Sequence, residues 1–201
     1  MSWLLIEHAD ELVTAKGKAA RRGSEMNALL VIQDGAVLTE DDRIAAAGPT
    51  GAVAAQLDAL VREGETVTRI DAAGKTVIPG FVDPHTHFIF GGYREEEFNR
   101  RLAGATYMEI MKMGGGIAST NRATKEASEE ELYAAGFHRM ERMLDLGITT
   151  VEGKTGYGED TKTEDKMLRV MERLNRDHPV DIAMTYMGAH SVPPRYKGRS
   201  G

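Results

Sequence analysis

Residues 77–87 read Val77-Ile78-Pro79-Gly80-Phe81-Val82-Asp83-Pro84-His85-Thr86-His87, an apolar run that ends in two histidines two residues apart. The run predicts a buried strand, and side chains at positions i and i+2 of a strand point to the same face. Both imidazoles would therefore converge on one point at the end of the strand. Neutral imidazole suits zinc or iron, and a catalytic site keeps one position open for water. Taken alone, the pair also fits two surface histidines.

Composition narrows the classes of partner. The chain has 201 residues, of which 41% are hydrophobic, so it can bury a sizeable core. Its net charge is −6 with acids and bases interspersed, which argues against nucleic acid or a membrane surface and favours a small-molecule partner. Without cysteine, chemistry is left to histidine, carboxylates and water. The apolar run Trp3–Ile6 is too short for a signal peptide or a membrane span, so we expect a cytoplasmic protein.

Sequence texture predicts two domains. Residues 1–74 alternate short β-type runs with turns at Asp34-Gly35 and Glu40–Arg43, which indicates a small antiparallel β module, part of a β-sandwich. Residues 75–201 alternate apolar strand-like runs with helical patterns, the signature of βα units and a parallel sheet.

Two helices are marked by their start signals. Ser128 and Glu131 form a capping box ahead of a helix that ends at Gly147, and Thr161 with Glu164 predicts a second box. Strands are predicted at 148–151 and 180–184, one after each helix. This α/β order fits part of a (β/α)₈ barrel or a doubly wound sheet, and in both folds ligands bind beyond the carboxyl ends of the strands.

Three segments fall at such strand ends. They begin at His85, Glu152 and Met187, and each places glycine beside histidine, arginine, lysine or tyrosine: residues 85–94, 152–158 and 187–194. Glycine lets the backbone turn tightly while neighbouring polar groups face a ligand. We therefore expect the site to lie among these three loops.

The motif at residues 79–87 resembles the first-strand motif of the amidohydrolase superfamily. Residues 90–98 and 101–107, the loop Lys154-Thr155-Gly156-Tyr157-Gly158, and residues 188–194 together resemble the imidazolonepropionase family within it. The resemblance implies a metal-dependent hydrolase on a distorted (β/α)₈ barrel with an attached β-sandwich. The reaction it implies is hydrolysis of the ring amide C–N bond of 4-imidazolone-5-propionate to N-formimidoyl-L-glutamate, in histidine degradation.

Residue roles follow from the same resemblance. His85 and His87 match two ligands of one divalent metal, zinc or iron. Arg94 matches the residue that holds the substrate's propionate, and its planar fork suits a carboxylate. Tyr157 and His190 match substrate-contacting positions, and His190 is also the candidate catalytic residue of this chain.

Each role has a simpler alternative. Arg94 could form a surface salt bridge with Glu95–Glu97, His190 could be a hydrogen-bonded strand-end residue, and Tyr157 could cap its glycine loop. Lys154 is interpreted as structural, or as a residue that supports the metal ligands, because the resembled family uses a single metal.

Length sets a further expectation. A (β/α)₈ barrel takes about 250 residues, so residues 75–201 would form roughly half of one, and the remaining metal ligands would lie beyond residue 201. An inactive truncated fragment, a non-enzymatic interaction module and another amidohydrolase, either a deaminase or a cyclic amidase, remain alternatives. Whether a full-length protein would form a homodimer is left open.

Overall fold

The computed structural model describes residues 2–15, 17, 19–62, 64–192, 196 and 198. The chain divides into two compact units, Met1–Pro79 and Gly80–Gly201. None of the helices in the described part of the chain is long and apolar enough to cross a membrane.

Among its described residues, the first unit has a five-stranded mixed sheet, one α-helix and one short 3-10 helix. Strands β1 (Trp3–Ala15), β2 (Leu29–Glu40) and β3 (Arg43–Pro49) pair in antiparallel fashion, whereas β4 (Val67–Asp71) and β5 (Thr76–Val77) run parallel to β1. A short 3-10 helix spans Gly23–Asn27. The antiparallel prediction for residues 1–74 is therefore wrong for β4, which follows helix α1 (Thr50–Leu60) and pairs parallel to β1. The core of this unit contains the buried residues Trp3, Leu5, Leu38, Val53 and Leu57.

The predicted turn at Asp34-Gly35 is absent, because β2 runs through it. Asp34 has φ +47° and the β1–β2 register shifts between Ile6 and Ala9, where His8 has φ +59°. The pair of strands therefore bends at a bulge instead of reversing direction. The predicted turn at Glu40–Arg43 is present between β2 and β3.

The second unit contains a parallel three-stranded sheet in the order β6-β7-β8. The strands are β6 (Phe81–Thr86), β7 (Ile148–Lys154) and β8 (Asp181–Thr185). Helices α2 (Glu95–Leu102), α3 (Tyr107–Lys112), α4 (Ile117–Glu126) and α5 (Glu129–Asp145) join β6 to β7, and α6 (Thr161–Asp177) joins β7 to β8. The predicted α/β class and parallel strands are confirmed.

The core of this unit lies between the sheet and helices α5 and α6. Its members are apolar side chains with at most 7% exposure: Phe88, Ile89, Leu132, Met140, Val151, Met167, Val170, Met171, Leu174, Val180 and Ile182. The methionines on α5 and α6 pack here, as their helical spacing predicts.

The run at residues 77–87 is not one buried strand. Val77 ends β5 in the first unit, whereas β6 begins at Phe81, and Phe81 and Val82 are 53% and 63% exposed. Among the described residues β6 pairs only with β7, so it is an edge strand with an uncovered face. The prediction of a strand ending at the histidine pair holds, and the prediction of its burial is wrong.

One of the two predicted capping boxes is present, and the other helix is capped by a different residue. Ser128 Oγ accepts a hydrogen bond from Glu131 N at 3.2 Å and Glu131 Oε2 accepts one from Ser128 N at 2.8 Å, which is the predicted box. The N-cap of helix α6 is instead Asp160, whose Oδ1 accepts a hydrogen bond from Thr163 N at 2.8 Å. The predicted Thr161–Glu164 box is therefore wrong, because the Glu164 side chain points to the preceding loop.

Candidate active site

The candidate site lies at the carboxyl edge of the parallel sheet. Since β6, β7 and β8 run in the same direction, the segments that follow them emerge at the same edge. His85 lies in β6 and His87 just beyond it, Tyr157 follows β7, and His190 follows β8. Within the third predicted segment, Pro193 and Pro194 lie outside the described residues.

Three rings from these segments surround the ring of His87. The ring centroid of His87 lies 5.8 Å from that of His85, 5.0 Å from that of Tyr157 and 5.0 Å from that of His190. The structure therefore brings together four of the five predicted site residues, taken from three strand ends that are far apart in sequence.

Burial favours the neutral form of the His87 imidazole. Burial first, and then the neighbouring His190, His85 and Lys154, lower the pKa of His87 below its usual range. Its Nδ1 is buried and has no hydrogen-bond partner among the described residues. A neutral ring with a free buried nitrogen is what a metal ligand needs. Within the described part of the chain no group of three or more histidines, cysteines or carboxylates is arranged to hold a metal ion.

Arg94 lies on the wall of a cavity that Tyr157 also lines. The cavity has a volume of about 220 Å³, and its other lining residues are Phe90, Gly92, Tyr93 and Thr120. The Arg94 guanidinium is 3.9 Å from Glu97 Oε2, a loose contact for an ion pair, and the side chain is 46% exposed. The alternative salt bridge is therefore present in weak form, and Arg94 lies on the cavity wall.

Arg139 on helix α5 supports the loop that leads to Arg94. Its Nη1 donates to the carbonyls of Phe88 at 2.8 Å and Phe90 at 3.1 Å. The guanidinium carbon also lies 3.7 Å from the centroid of the Phe90 ring. One helix side chain thus fixes both the backbone and the aromatic wall of the cavity.

Lys154 forms a compact polar cluster beside the histidines. Its ammonium donates to Glu152 Oε1, and Thr185 Oγ1 donates to the same oxygen at 2.6 Å. The Lys154 side chain is 11% exposed. Glu152 and Lys154 both lie on β7 whereas Thr185 lies on β8, so the Glu152 carboxylate links the two strands and Lys154 pairs with it.

Comparison with known proteins supports the motif resemblance. The model of the Amidohydrolase family matches residues 68–113. Curated imidazolonepropionases match nearly the whole chain: that of Parabacteroides distasonis is 50% identical over 199 residues, and that of Clostridium tetani is 46% identical over 198 residues. The alignments cover 99% and 98% of this chain, and 47% and 46% of those relatives.

The resemblance to imidazolonepropionases is confirmed. The chain spans about half the length of the curated imidazolonepropionases it matches.

Solved structures share the fold at low identity. E. coli guanine deaminase aligns with a TM-score of 0.59 at 15% identity, covering 96% of this chain and 38% of that protein. Guanine deaminase from Bradyrhizobium japonicum aligns with a TM-score of 0.57 at 18% identity, covering 98% and 39%. These matches place the chain in the same fold and carry no information about its substrate.

Sequence reasoning missed the residues that hold the loops in place. Thr120 on the cavity wall belongs to helix α4, which was not predicted. Asn121 on the same helix donates to Glu159 Oε1 at 2.7 Å. Glu164 was assigned to helix capping, although its carboxylate binds the Tyr157 loop. Thr106 and Glu109 form a capping box at the start of α3, and their spacing in the sequence is a local signal for this helix.

Proposed function

We propose that the protein carrying residues 1–201 hydrolyses the ring amide C–N bond of 4-imidazolone-5-propionate to N-formimidoyl-L-glutamate. One observation carries the proposal: His85, Tyr157 and His190 converge on His87, with Arg94 and Tyr157 on one cavity wall. This arrangement suits a ring with a carboxylate tail. The identity of 46–50% to imidazolonepropionases supports the same reaction.

A single zinc or iron ion is proposed as the cofactor. His85 and His87 would hold it with two imidazoles, and the free Nδ1 of His87 supports this. Such an ion lowers the pKa of a bound water and polarises a carbonyl oxygen. A catalytic zinc site takes three protein ligands, so at least one further ligand would come from outside residues 1–201.

The chain's own residues would bind and orient the substrate. Arg94 would hold the propionate with two parallel hydrogen bonds, which its fork geometry permits. The Tyr157 phenol and the His190 imidazole would hydrogen-bond the ring and its carbonyl, since both side chains carry a donor beside His87. His190 is the proposed catalytic residue of this chain.

The three-stranded sheet is proposed to be part of a (β/α)₈ barrel. Its parallel strands, its βα connections and the fold shared with guanine deaminase support this. Residues 1–74 are proposed as part of a β-sandwich and residues 75–201 as roughly half of the barrel. A deaminase or a cyclic amidase is the rival activity, and the arginine beside the cavity argues for a carboxylate-bearing substrate instead.

The test is an assay of the complete gene product for loss of imidazolone ultraviolet absorbance with zinc or iron added. We expect turnover, and its loss in His85→Ala and His87→Ala, whereas His138→Ala on the exposed face of α5 serves as the matched control. Purified residues 1–201 alone should show no turnover, because two ligands do not complete the site. Full turnover with full metal content in the double variant would refute the proposed ligands, and turnover by residues 1–201 alone would show that they need nothing further.

A further inference from the structure

The loop that carries Tyr157 is tied to a buried carboxylate. Glu164, in the first turn of α6, is 1% exposed. Its Oε2 accepts from Gly156 N at 2.8 Å, and its Oε1 accepts from Gly158 N at 2.6 Å and from Glu159 N at 3.1 Å. Three backbone donors on both sides of Tyr157 therefore converge on one side chain.

The loop does not favour this shape by itself. Gly156 has φ +121° and Glu159 has φ +57°, which is an uncommon conformation for a residue with a side chain. A Cβ at Gly158 would lie 2.7 Å from Glu164 Oε1, so the carboxylate fills the space beside that glycine. External hydrogen bonds must hold such a conformation, and the Glu164 carboxylate supplies three of them.

The same loop contacts the other ligand-facing residues. A Cβ at Gly156 would lie 2.9 Å from His190 Cβ, so the His190 side chain rests against this glycine. Thr155, fully buried, accepts a hydrogen bond from Met187 N at 2.9 Å through Oγ1. A shift of residues 155–159 would therefore move both the Tyr157 phenol and the His190 ring.

We infer that Glu164 is a positioning residue, which sets the orientation of Tyr157 and, through Gly156, of His190. The inference concerns loop geometry and rests on the proposed function for its kinetic consequence. A residue that only stabilised the fold would change the free energy of unfolding without changing how a folded molecule binds substrate.

The first arm of the test needs no activity. Glu164→Gln keeps the size of the side chain but turns one acceptor into a donor that faces a backbone N–H. In the complete gene product we expect hydrogen exchange at the amides of Gly156, Gly158 and Glu159 to speed up about 10-fold or more, since each loses a charge-assisted bond. With fluorotyrosine incorporated, the fluorine resonance of Tyr157, assigned through Tyr157→Phe, should shift.

Asp160→Ala is the matched control. It removes the N-cap of the same helix, whose side chain bonds Thr163 N and the Lys125 ammonium, while the three loop amides donate to Glu164 and not to Asp160. It should leave the Tyr157 resonance and the three amides as they are. If Glu164→Gln also leaves them unchanged, the inference is overturned. If Glu164→Gln does not fold, Glu164→Asp takes its place with the same readouts, because it keeps the charge but is one methylene shorter.

The second arm is a double-mutant cycle on turnover of the imidazolone substrate. Glu164→Gln alone should raise KM and lower kcat/KM about 10- to 100-fold, the effect of a small misplacement of binding groups. In a Tyr157→Phe background the loss should be clearly smaller, since the phenol is already gone and only the part that acts through His190 remains. Additive losses would overturn the inference even with altered amides. If the wild-type protein shows no turnover, the proposed function fails and the first arm alone decides the role of Glu164.

Discussion

Lys166 offers a quantitative test of how the second unit is held together. Its ammonium, on α6, donates to the carbonyl oxygens of Thr124 at 2.9 Å, Lys125 at 3.1 Å and Ala127 at 2.5 Å. These carbonyls lie at the C-terminus of α4, where a helix leaves acceptors unpaired and favours a positive charge. Lys166→Met keeps the apolar stem and removes the charge.

The expected loss of stability in Lys166→Met depends on which of the three carbonyls water can reach once the ammonium is gone. The bonds to Thr124 and Ala127 are half-buried and the bond to Lys125 is exposed, so two acceptors lose their partner and water replaces the third. Each unsatisfied half-buried carbonyl costs about 1 kcal/mol. The lost interaction with the end of the helix adds about 0.5 kcal/mol. Burial lowers the pKa of Lys166, so part of the loss is offset because the variant no longer buries a charge. We expect a net destabilisation of about 2 kcal/mol.

The measurement is denaturant unfolding followed by helical ellipticity. Lys162→Met, on the exposed side of the same helix, is the control and should change the free energy of unfolding by less than about 0.5 kcal/mol. A Lys166→Met effect no larger than that of the control would show that the three bonds contribute nothing net.

Three further outcomes are expected. Arg94→Ala should weaken binding of the carboxylate substrate by about 2–3 kcal/mol, and Arg94→Lys should weaken it by less, both measured through KM. An unchanged KM in both variants would show that Arg94 does not bind the carboxylate. His178 is buried, and its Nδ1 accepts a hydrogen bond from Val180 N at 3.1 Å. His178→Ala should lower the free energy of unfolding by about 2 kcal/mol, and His178→Asn, which keeps an acceptor, should lower it by less. Equal shifts of the melting temperature in the two variants would contradict this expectation. Hydrogen bonds from Ser128 lower the pKa of Glu131, so the ionised Glu131 carboxylate stabilises the fold above its unfolded pKa, and this stabilisation declines as pH falls through the lower folded pKa. Ser128→Ala should therefore flatten the acidic part of the curve of unfolding free energy against pH. An unchanged curve would refute the role of this capping box.

The location of the site could be predicted from the sequence because local rules suffice there. The two-residue spacing of His85 and His87 and the βα order place the candidate residues at one edge of a parallel sheet, whatever the rest of the fold. The structure brings His85, His87, Tyr157 and His190 together at that edge.

Supporting interactions could not be predicted in the same way. A Thr-x-x-Glu pattern fits a capping box, but Glu164 binds a loop whose shape depends on the positive φ values of Gly156 and Glu159. Strand β4 pairs parallel to β1 after helix α1, and the sequence pattern predicts neither the helix nor the direction of the strand that follows it. Both errors arise because a long-range contact selected one of two locally acceptable arrangements.

The contact of Arg139 with the segment at Phe88–Phe90 has a consequence for folding order. These hydrogen bonds join positions 51 and 49 residues apart. Such contacts form only after a long loop has closed, which delays them relative to local helix formation. The segment leading to Arg94 therefore becomes ordered when α5 docks on the sheet, not when β6 forms. Ligand binding at the cavity and docking of α5 are then linked, so a carboxylate ligand would slow the undocking of a helix that it never touches.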